Sequence, residues 1–173
     1  MKTIPLLVAI GALSVAACGS SVDITKPPVP YQAKRQIPAA QFRGDDTFTV
    51  RTVRKTGDGT KEVTGASCSF ETTYTASKFQ SPVILVTPNL GPATPAGHIS
   101  CSDGEKDASM NIDAINKSLR DRVNGARNSG AGGGIIGAIA GGITAGIVKG
   151  RGDRPDDIFG YDDSRIRFDY TEE

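Results

Sequence analysis

The residues most capable of chemistry are three cysteines, Cys18, Cys68 and Cys101, and a single histidine, His98. A redox-active cysteine pair is typically a close CxxC motif beside positive charge, and the sequence has neither feature. The pattern around His98 indicates no serine or cysteine paired with a base, so we expect a loop or strand-edge residue. The chain is therefore expected not to be an enzyme and to need no cofactor. A ligand-binding or hydrolytic module is the alternative.

The first cysteine follows a segment that is typical of an export signal. Met1 and Lys2 precede an apolar run at residues 4–15, and two alanines stand directly before Cys18. The run is too short to span a bilayer, so residues 1–17 are predicted to be a signal peptide. An ordinary secretory signal cleaved near Ala17 is the alternative interpretation.

Residues 13–18, LSVAAC, resemble the lipobox of bacterial lipoproteins. The resemblance implies that Cys18 becomes the first residue of the mature chain and carries a diacylglyceryl thioether and an amide-linked acyl chain such as palmitate. Several acyl chains exceed the two signals that stable anchoring requires. Gly19 replaces the aspartate that implies retention in the inner membrane, so we expect an outer-membrane protein facing the periplasm, with surface exposure left open.

The segment after the anchor, residues 18–41, is rich in proline and has no sustained apolar period. This composition predicts a tether that holds a domain about 25 to 70 Å from the lipid. Without residues 1–17 the chain has 173 − 17 = 156 residues, with 20 − 1 = 19 Lys and Arg against 19 Asp and Glu. The neutral balance gives no electrostatic reason to expect binding to nucleic acid.

Residues 42–107 have the pattern of a small β domain. An alternating run at residues 47–55, a Gly-Asp-Gly break and residues 61–63 predict a hairpin. Further strands are predicted at residues 67–75, 83–86 and 98–101. The fold class we expect is mainly β, a sandwich or small barrel. With Cys18 lipidated, Cys68 and Cys101 remain as a pair for a disulfide, which would close a loop and contribute about 3 to 4 kcal/mol.

Three segments of this domain, GASC at residues 65–68, SPVILV at 81–86 and ISCSDG at 99–104, resemble small bacterial lipoproteins with a PEGA-like or carboxypeptidase-regulatory-like β-sandwich. The glycine-rich segment and the aspartate- and tyrosine-rich tail that follow extend the resemblance. It implies a disulfide-stapled β-sandwich and no enzymatic activity.

The apolar period changes after the β domain. Ile112, Ile115, Leu119 and Val123 are three, four and four residues apart, which predicts an amphipathic helix over residues 108–127. Its apolar stripe is expected to pack against the β domain or the following segment, and a partner-binding face is the alternative.

Residues 130–150, GAGGGIIGAIAGGITAGIVKG, form small-residue rows at a period of four. On a helix these rows make a smooth face typical of a glycine zipper, and a hairpin broken near the middle is an alternative. We expect it to contact a membrane, a second copy of the chain or an envelope assembly. A soluble helix pair or a flexible linker are the other interpretations. The expected packing residues are Gly130, Gly133, Gly134, Gly137, Gly141, Gly142, Gly146 and Gly150.

The tail, residues 151–173, mixes charged and aromatic residues. Alternation over residues 165–170 predicts an added strand. Asp156, Asp157, Asp162 and Asp163 lack the spacing of a calcium loop, so they are expected to be solvated turn charges with no bound metal.

Overall fold

The computed structural model of the chain describes residues 21–56, 59–131 and 153–170. The predicted signal peptide, Cys18 and the zipper glycines beyond Gly130 lie outside these residues, so those predictions are untested. Within the described part the chain is mainly β, as the sequence predicts, and its strands form two principal sheets.

Sheet I has five antiparallel strands, each paired with the next in the order β1-β5-β4-β7-β8. Its strands are β1 (Gln32–Ala33), β4 (Ser67–Glu71), β5 (Thr75–Gln80), β7 (Gly97–Ser102) and β8 (Asp107–Ile112). A short 3₁₀ turn (Gly91–Ala93) precedes β7. The predicted strand at residues 67–75 is wrong in its length, because the chain turns after Glu71 and returns as β5.

Sheet II is built around one long strand, β2 (Asp45–Thr56). The first half of β2 pairs with β6 (Val83–Pro88), and its second half pairs with β3 (Gly59–Val63), both antiparallel. On its other side β2 pairs in parallel with β11 (Ser164–Phe168). The predicted hairpin and the predicted added strand are therefore both confirmed.

The core lies between the inner faces of the two sheets. Phe48, Phe70 and Tyr161 form a triangle of aromatic rings whose centroids are 5.1 to 5.3 Å apart. Tilted and edge-to-face contacts of this kind stabilise a core beyond the area that they bury. Burial also raises the pKa of the Tyr161 hydroxyl, which donates a hydrogen bond to the Pro95 carbonyl.

The disulfide is confirmed. Cys68 on β4 and Cys101 on β7 are directly opposite each other in the register of sheet I, with an S–S distance of 2.05 Å. Both are buried on the inner face of the sheet. The bond therefore joins two neighbouring strands of sheet I through cysteines that are 33 residues apart in sequence.

The helix predicted over residues 108–127 is wrong in its first half. Residues 107–112 form β8, β9 (Ile115–Asn116) pairs with β10 (Phe159–Gly160), and the helix α1 spans Lys117–Ala131. Ala108, Met110 and Ile112 alternate toward the core, so this segment also fits a strand, and pairing with β7 decides between the two periods. Among the described helix side chains, those of residues 117–125, none is fully buried.

The predicted tether is also wrong over most of its length. Val29 bridges β6 through hydrogen bonds with the Ile84 carbonyl and the Val86 amide, both 2.9 Å long. Further along, β1 pairs with β5. Proline is compatible with extended segments at a sheet edge, because it has no backbone N–H to donate and an edge position does not require one. The proline-rich segment therefore lies on the sandwich instead of separating it from an anchor.

The tail is part of the core and not an extension of it. Phe159, Tyr161, Ile166 and Phe168 are all buried. The β fold therefore extends beyond the predicted limits of residues 42–107 at both ends. Among the described residues, no helix has the length and apolarity that crossing a membrane requires.

Candidate functional sites

The first candidate site joins the two chain segments that flank residues 132–152. We call it the base clamp, and it consists of Asn116, Arg122, Asp153 and Asp157. The Asp157 carboxylate is 1% exposed and accepts two hydrogen bonds from Arg122, of 2.7 and 3.1 Å. The Asn116 amide donates to Asp153 and to Asp157, each at 2.7 Å. The clamp therefore holds α1 against the segment that leads into β10.

The electrostatics of the clamp follow from these contacts. The Arg122 guanidinium, together with hydrogen bonds from Asn116 and the Arg154 backbone, holds the pKa of Asp157 well below its usual range against the opposing effect of burial. The same ion pair raises the pKa of Arg122. The prediction that Asp157 is a solvated turn charge is wrong, whereas Asp156, Asp162 and Asp163 are exposed.

A second link lies beside the clamp. The Lys117 ammonium donates to the Asp46 carboxylate at 2.8 Å, which fixes the start of α1 to β2. The Lys117 amide donates to the Ile158 carbonyl, and the Ile158 amide donates to the Ser118 hydroxyl. The start of α1 is therefore held both to β2 and to the chain just before β10.

The second candidate site is the outer face of sheet I. Side chains alternate across a strand, so the residues between the buried ones point to solvent. Short hydroxyls occupy this face, which we call the serine face, on three adjacent strands: Ser67, Ser69, Ser100, Ser102 and Ser109. They line a shallow depression of about 870 Å³ that Lys78, Gln80 and Asp107 border.

A hydrogen-bonded chain of three side chains runs along this face. The Ser100 hydroxyl lies 3.0 Å from His98 Nε2, and His98 Nδ1 lies 2.7 Å from the Asn111 side-chain oxygen. The amide oxygen can only accept, so it assigns the proton to Nδ1 and leaves Nε2 to accept from Ser100. A nucleophile, a base and an orienting group are thus within hydrogen-bond reach.

The expectation that His98 has no such partner is wrong. His98 and Ser100 are two residues apart on β7, and the strand predicted at residues 98–101 places both side chains on one face. Asn111 lies opposite His98 on β8, which the sequence pattern assigns to a helix. Ser69 and Ser109 flank Ser100 on the neighbouring strands, and their hydroxyls are hydrogen-bond donors beside it.

The third candidate site lies where the described chain begins. The Val22 amide donates to Glu62 at 2.7 Å, and the Val22 carbonyl accepts from Arg51 at 2.8 Å. Arg51 and Glu62 also form an ion pair on the outer face of sheet II. The chain is therefore fixed to the domain four residues after Cys18.

A fourth polar cluster, formed by Arg54, Asp103 and Tyr170, ties the end of the tail to the turn between β7 and β8. Arg54 lies over the Tyr170 ring, 4.0 Å from its centroid, and donates to Asp103 at 3.3 Å. Burial acts to raise the pKa of Asp103, but hydrogen bonds from Tyr170, two backbone amides and Arg54 lower it to about 2. The cluster therefore links the tail to sheet I and to β2.

Of the predicted site residues, the structure brings together Cys68 and Cys101, while Gly130 lies at the end of α1. The described residues contain no group of three or more side chains suited to holding a metal ion. No protein-family model matches the chain, and no curated protein or solved structure matches it.

Proposed function

We propose that the chain is a non-enzymatic lipoprotein of the bacterial envelope, anchored in the outer membrane through Cys18 and facing the periplasm. The observation that carries this proposal is the disulfide between Cys68 and Cys101. Structural disulfides belong to oxidising compartments, so the bond supports export. It uses two of the three cysteines, which leaves Cys18 for lipidation.

The base clamp supports the second part of the proposal. Asn116 and Arg122 hold the segment around Asp157, so the chain before and the chain after the glycine-rich segment are both fixed to the domain. We assign this glycine-rich segment to association with the membrane, with a second copy of the chain or with an envelope assembly. Small residues at a period of four allow the close helix contact that such association needs.

Fractionation of cells that express the chain tests the anchor. We expect the wild-type chain in the membrane fraction after washing with high salt. We expect most of the Cys18→Ser chain in the soluble fraction, with only the residual membrane association that the glycine-rich segment gives. The matched control is the double variant Cys68→Ser with Cys101→Ser, which removes the other thiols and should stay with the membrane. A Cys18→Ser chain that stays fully membrane-bound would contradict the anchor.

A hydrolytic module is a second candidate, and the chain of Ser100, His98 and Asn111 favours it. In this reaction the Ser100 oxygen bonds to the acyl carbon of an ester, and its proton passes through His98 to the departing alcohol. Water then releases the acid from the acyl-serine. Turnover of a nitrophenyl ester that Ser100→Ala abolishes, and that the neighbouring Ser69→Ala retains, would establish this candidate. Equal rates in wild-type chain and Ser100→Ala would reject it.

A further inference from the structure

We propose that the outer face of sheet II around Val22 lies on a phospholipid surface and that the serine face points away from it. This inference rests on the proposed lipidation of Cys18. It is based on the contacts of Val22, near the start of the described chain. The Val22 amide donates a hydrogen bond to Glu62, and the Val22 carbonyl accepts one from Arg51, so both backbone groups are bonded to side chains of that face.

Covalent geometry limits the distance between lipid and domain. Val22 is four positions after Cys18, and an extended chain spans at most about 3.6 Å per position, or roughly 14 Å in all. Sheets in a sandwich are about 10 Å apart, and side chains extend from both outer faces. Because the link is this short, the face that holds Val22 lies nearest the lipid, and the opposite face of the sandwich lies farther away.

The chemistry of this face suits phospholipid headgroups. We define the anchor face as six outward side chains of β2, β3 and β11: Arg51, Lys55, Thr60, Glu62, Arg165 and Arg167. Of these, Arg51, Thr60, Glu62 and Arg165 lie beside Val22. Arg51 is engaged with Glu62, whereas Lys55, Arg165 and Arg167 are exposed and make no ion pair within the described part of the chain. Guanidinium and ammonium groups are the usual ligands of phosphate oxygens.

Carboxylates near the anchor face reduce its positive charge without cancelling it. Glu62 is neutralised by Arg51. Asp163, which accepts a hydrogen bond from the Thr49 amide at 2.7 Å, and Asp169, which follows β11, are exposed and offset two of the three unpaired cations. Val22, which is 46% exposed, adds an apolar side chain at the attachment point.

Energy transfer to a headgroup-labelled lipid tests the orientation. The lipidated full chain carries one fluorophore on Thr60→Cys, on the anchor face, or on Ser109→Cys, on the serine face. Both positions are exposed on strands, so both variants are expected to fold. In vesicles of phosphatidylcholine and phosphatidylglycerol, we expect transfer from position 60 to be at least about threefold stronger than from position 109, given the sheet separation.

Transfer that is equal at the two positions, or stronger at position 109, would overturn the orientation while leaving the anchor intact. A chain that does not remain with the vesicles at all would overturn the anchor and this inference together. The charge is tested separately: Arg165→Gln with Arg167→Gln should lower transfer from position 60. Arg35→Gln with Lys78→Gln removes the same charge elsewhere and should not. Equal loss in both double variants would reject headgroup contact by β11.

Discussion

Arg122 and Asp157 form a two-point ion pair that fastens helix α1 to the segment before β10, with Asp157 1% exposed. The pair therefore fixes the first half of α1 to the chain just before β10. No side chain of the described helix residues 117–125 is fully buried, and hydrogen bonds of Lys117, Ser118 and Arg122 link α1 to the rest of the domain.

The first prediction concerns this pair. Asp157→Asn keeps the shape of the side chain but leaves Arg122 without its carboxylate, and breaking a buried ion pair costs about 3 kcal/mol. We expect the free energy of unfolding, measured by denaturant titration, to fall by about that amount. Asp156→Asn, an exposed neighbour, should change it by less than about 0.5 kcal/mol. Equal changes in the free energy of unfolding for the two variants would show that the buried ion pair stabilises the fold no more than an exposed carboxylate does.

The second prediction concerns acid sensitivity. The folded-state pKa of Asp103 is lowered to about 2 and that of Asp157 is lowered further, so both carboxylates stabilise the fold at neutral pH. This stability is present above the unfolded-state pKa of about 3.9 and is lost as the pH falls toward the folded value. The denaturation midpoint should therefore drop between about pH 4 and pH 2.

Tyr170→Phe provides the matched test of that window. It removes one hydrogen bond to Asp103, and this loss raises the folded-state pKa of Asp103. Asp103 then contributes less to the stability at neutral pH, so the fall of the denaturation midpoint in acid should be smaller than in the wild type. Tyr74→Phe removes a hydroxyl for which the described residues show no hydrogen bond and should leave the profile unchanged. A wild-type denaturation midpoint that stays constant over this pH range would contradict the lowered pKa values of Asp103 and Asp157.

The third prediction concerns Gly97 in β7. A Cβ at this position would overlap the ring of Phe70, which is part of the central aromatic cluster. Overpacking of a core costs typically 1 to 3 kcal/mol, so Gly97→Ala should lower the melting temperature by roughly 2 to 4 °C per kcal/mol. In Gly125→Ala the added Cβ meets no atom within 4 Å, and alanine favours a helix, so stability should be kept or raised.

The fourth prediction concerns the glycine rows. Gly137→Leu combined with Gly141→Leu places bulky side chains on the expected packing face. We expect weaker crosslinked oligomers, or lower membrane retention in a Cys18→Ala background, because close approach is lost. Ile136→Leu is the conservative control, because Ile136 does not belong to the small-residue rows. If neither readout changes, the zipper hypothesis is wrong.

The β class, the hairpin and β11 could be predicted because their signals are local. Alternation along β11 and the glycines after β2 are visible in a short window. The disulfide could be predicted from the number of cysteines, since the lipobox resemblance sets Cys18 aside and leaves Cys68 and Cys101 as a pair.

The remaining features depend on contacts between distant segments. β8 carries apolar residues at spacings that fit both a helix and a strand, and only its pairing with β7 decides between them. For the same reason the chain of Ser100, His98 and Asn111 is not visible in the sequence. The base clamp joins residues 35 positions apart, Arg122 and Asp157, through charges that look like an ordinary solvated turn.

The intact mass of the protein extracted from membranes tests the central claim most directly. We predict the mass of residues 18–173, less two hydrogens for the disulfide, plus one diacylglyceryl group and one acyl chain on Cys18. Alkylation under non-reducing denaturing conditions should then find no free thiol. A chain that carries no lipid, or that begins at a residue other than Cys18, would contradict the account.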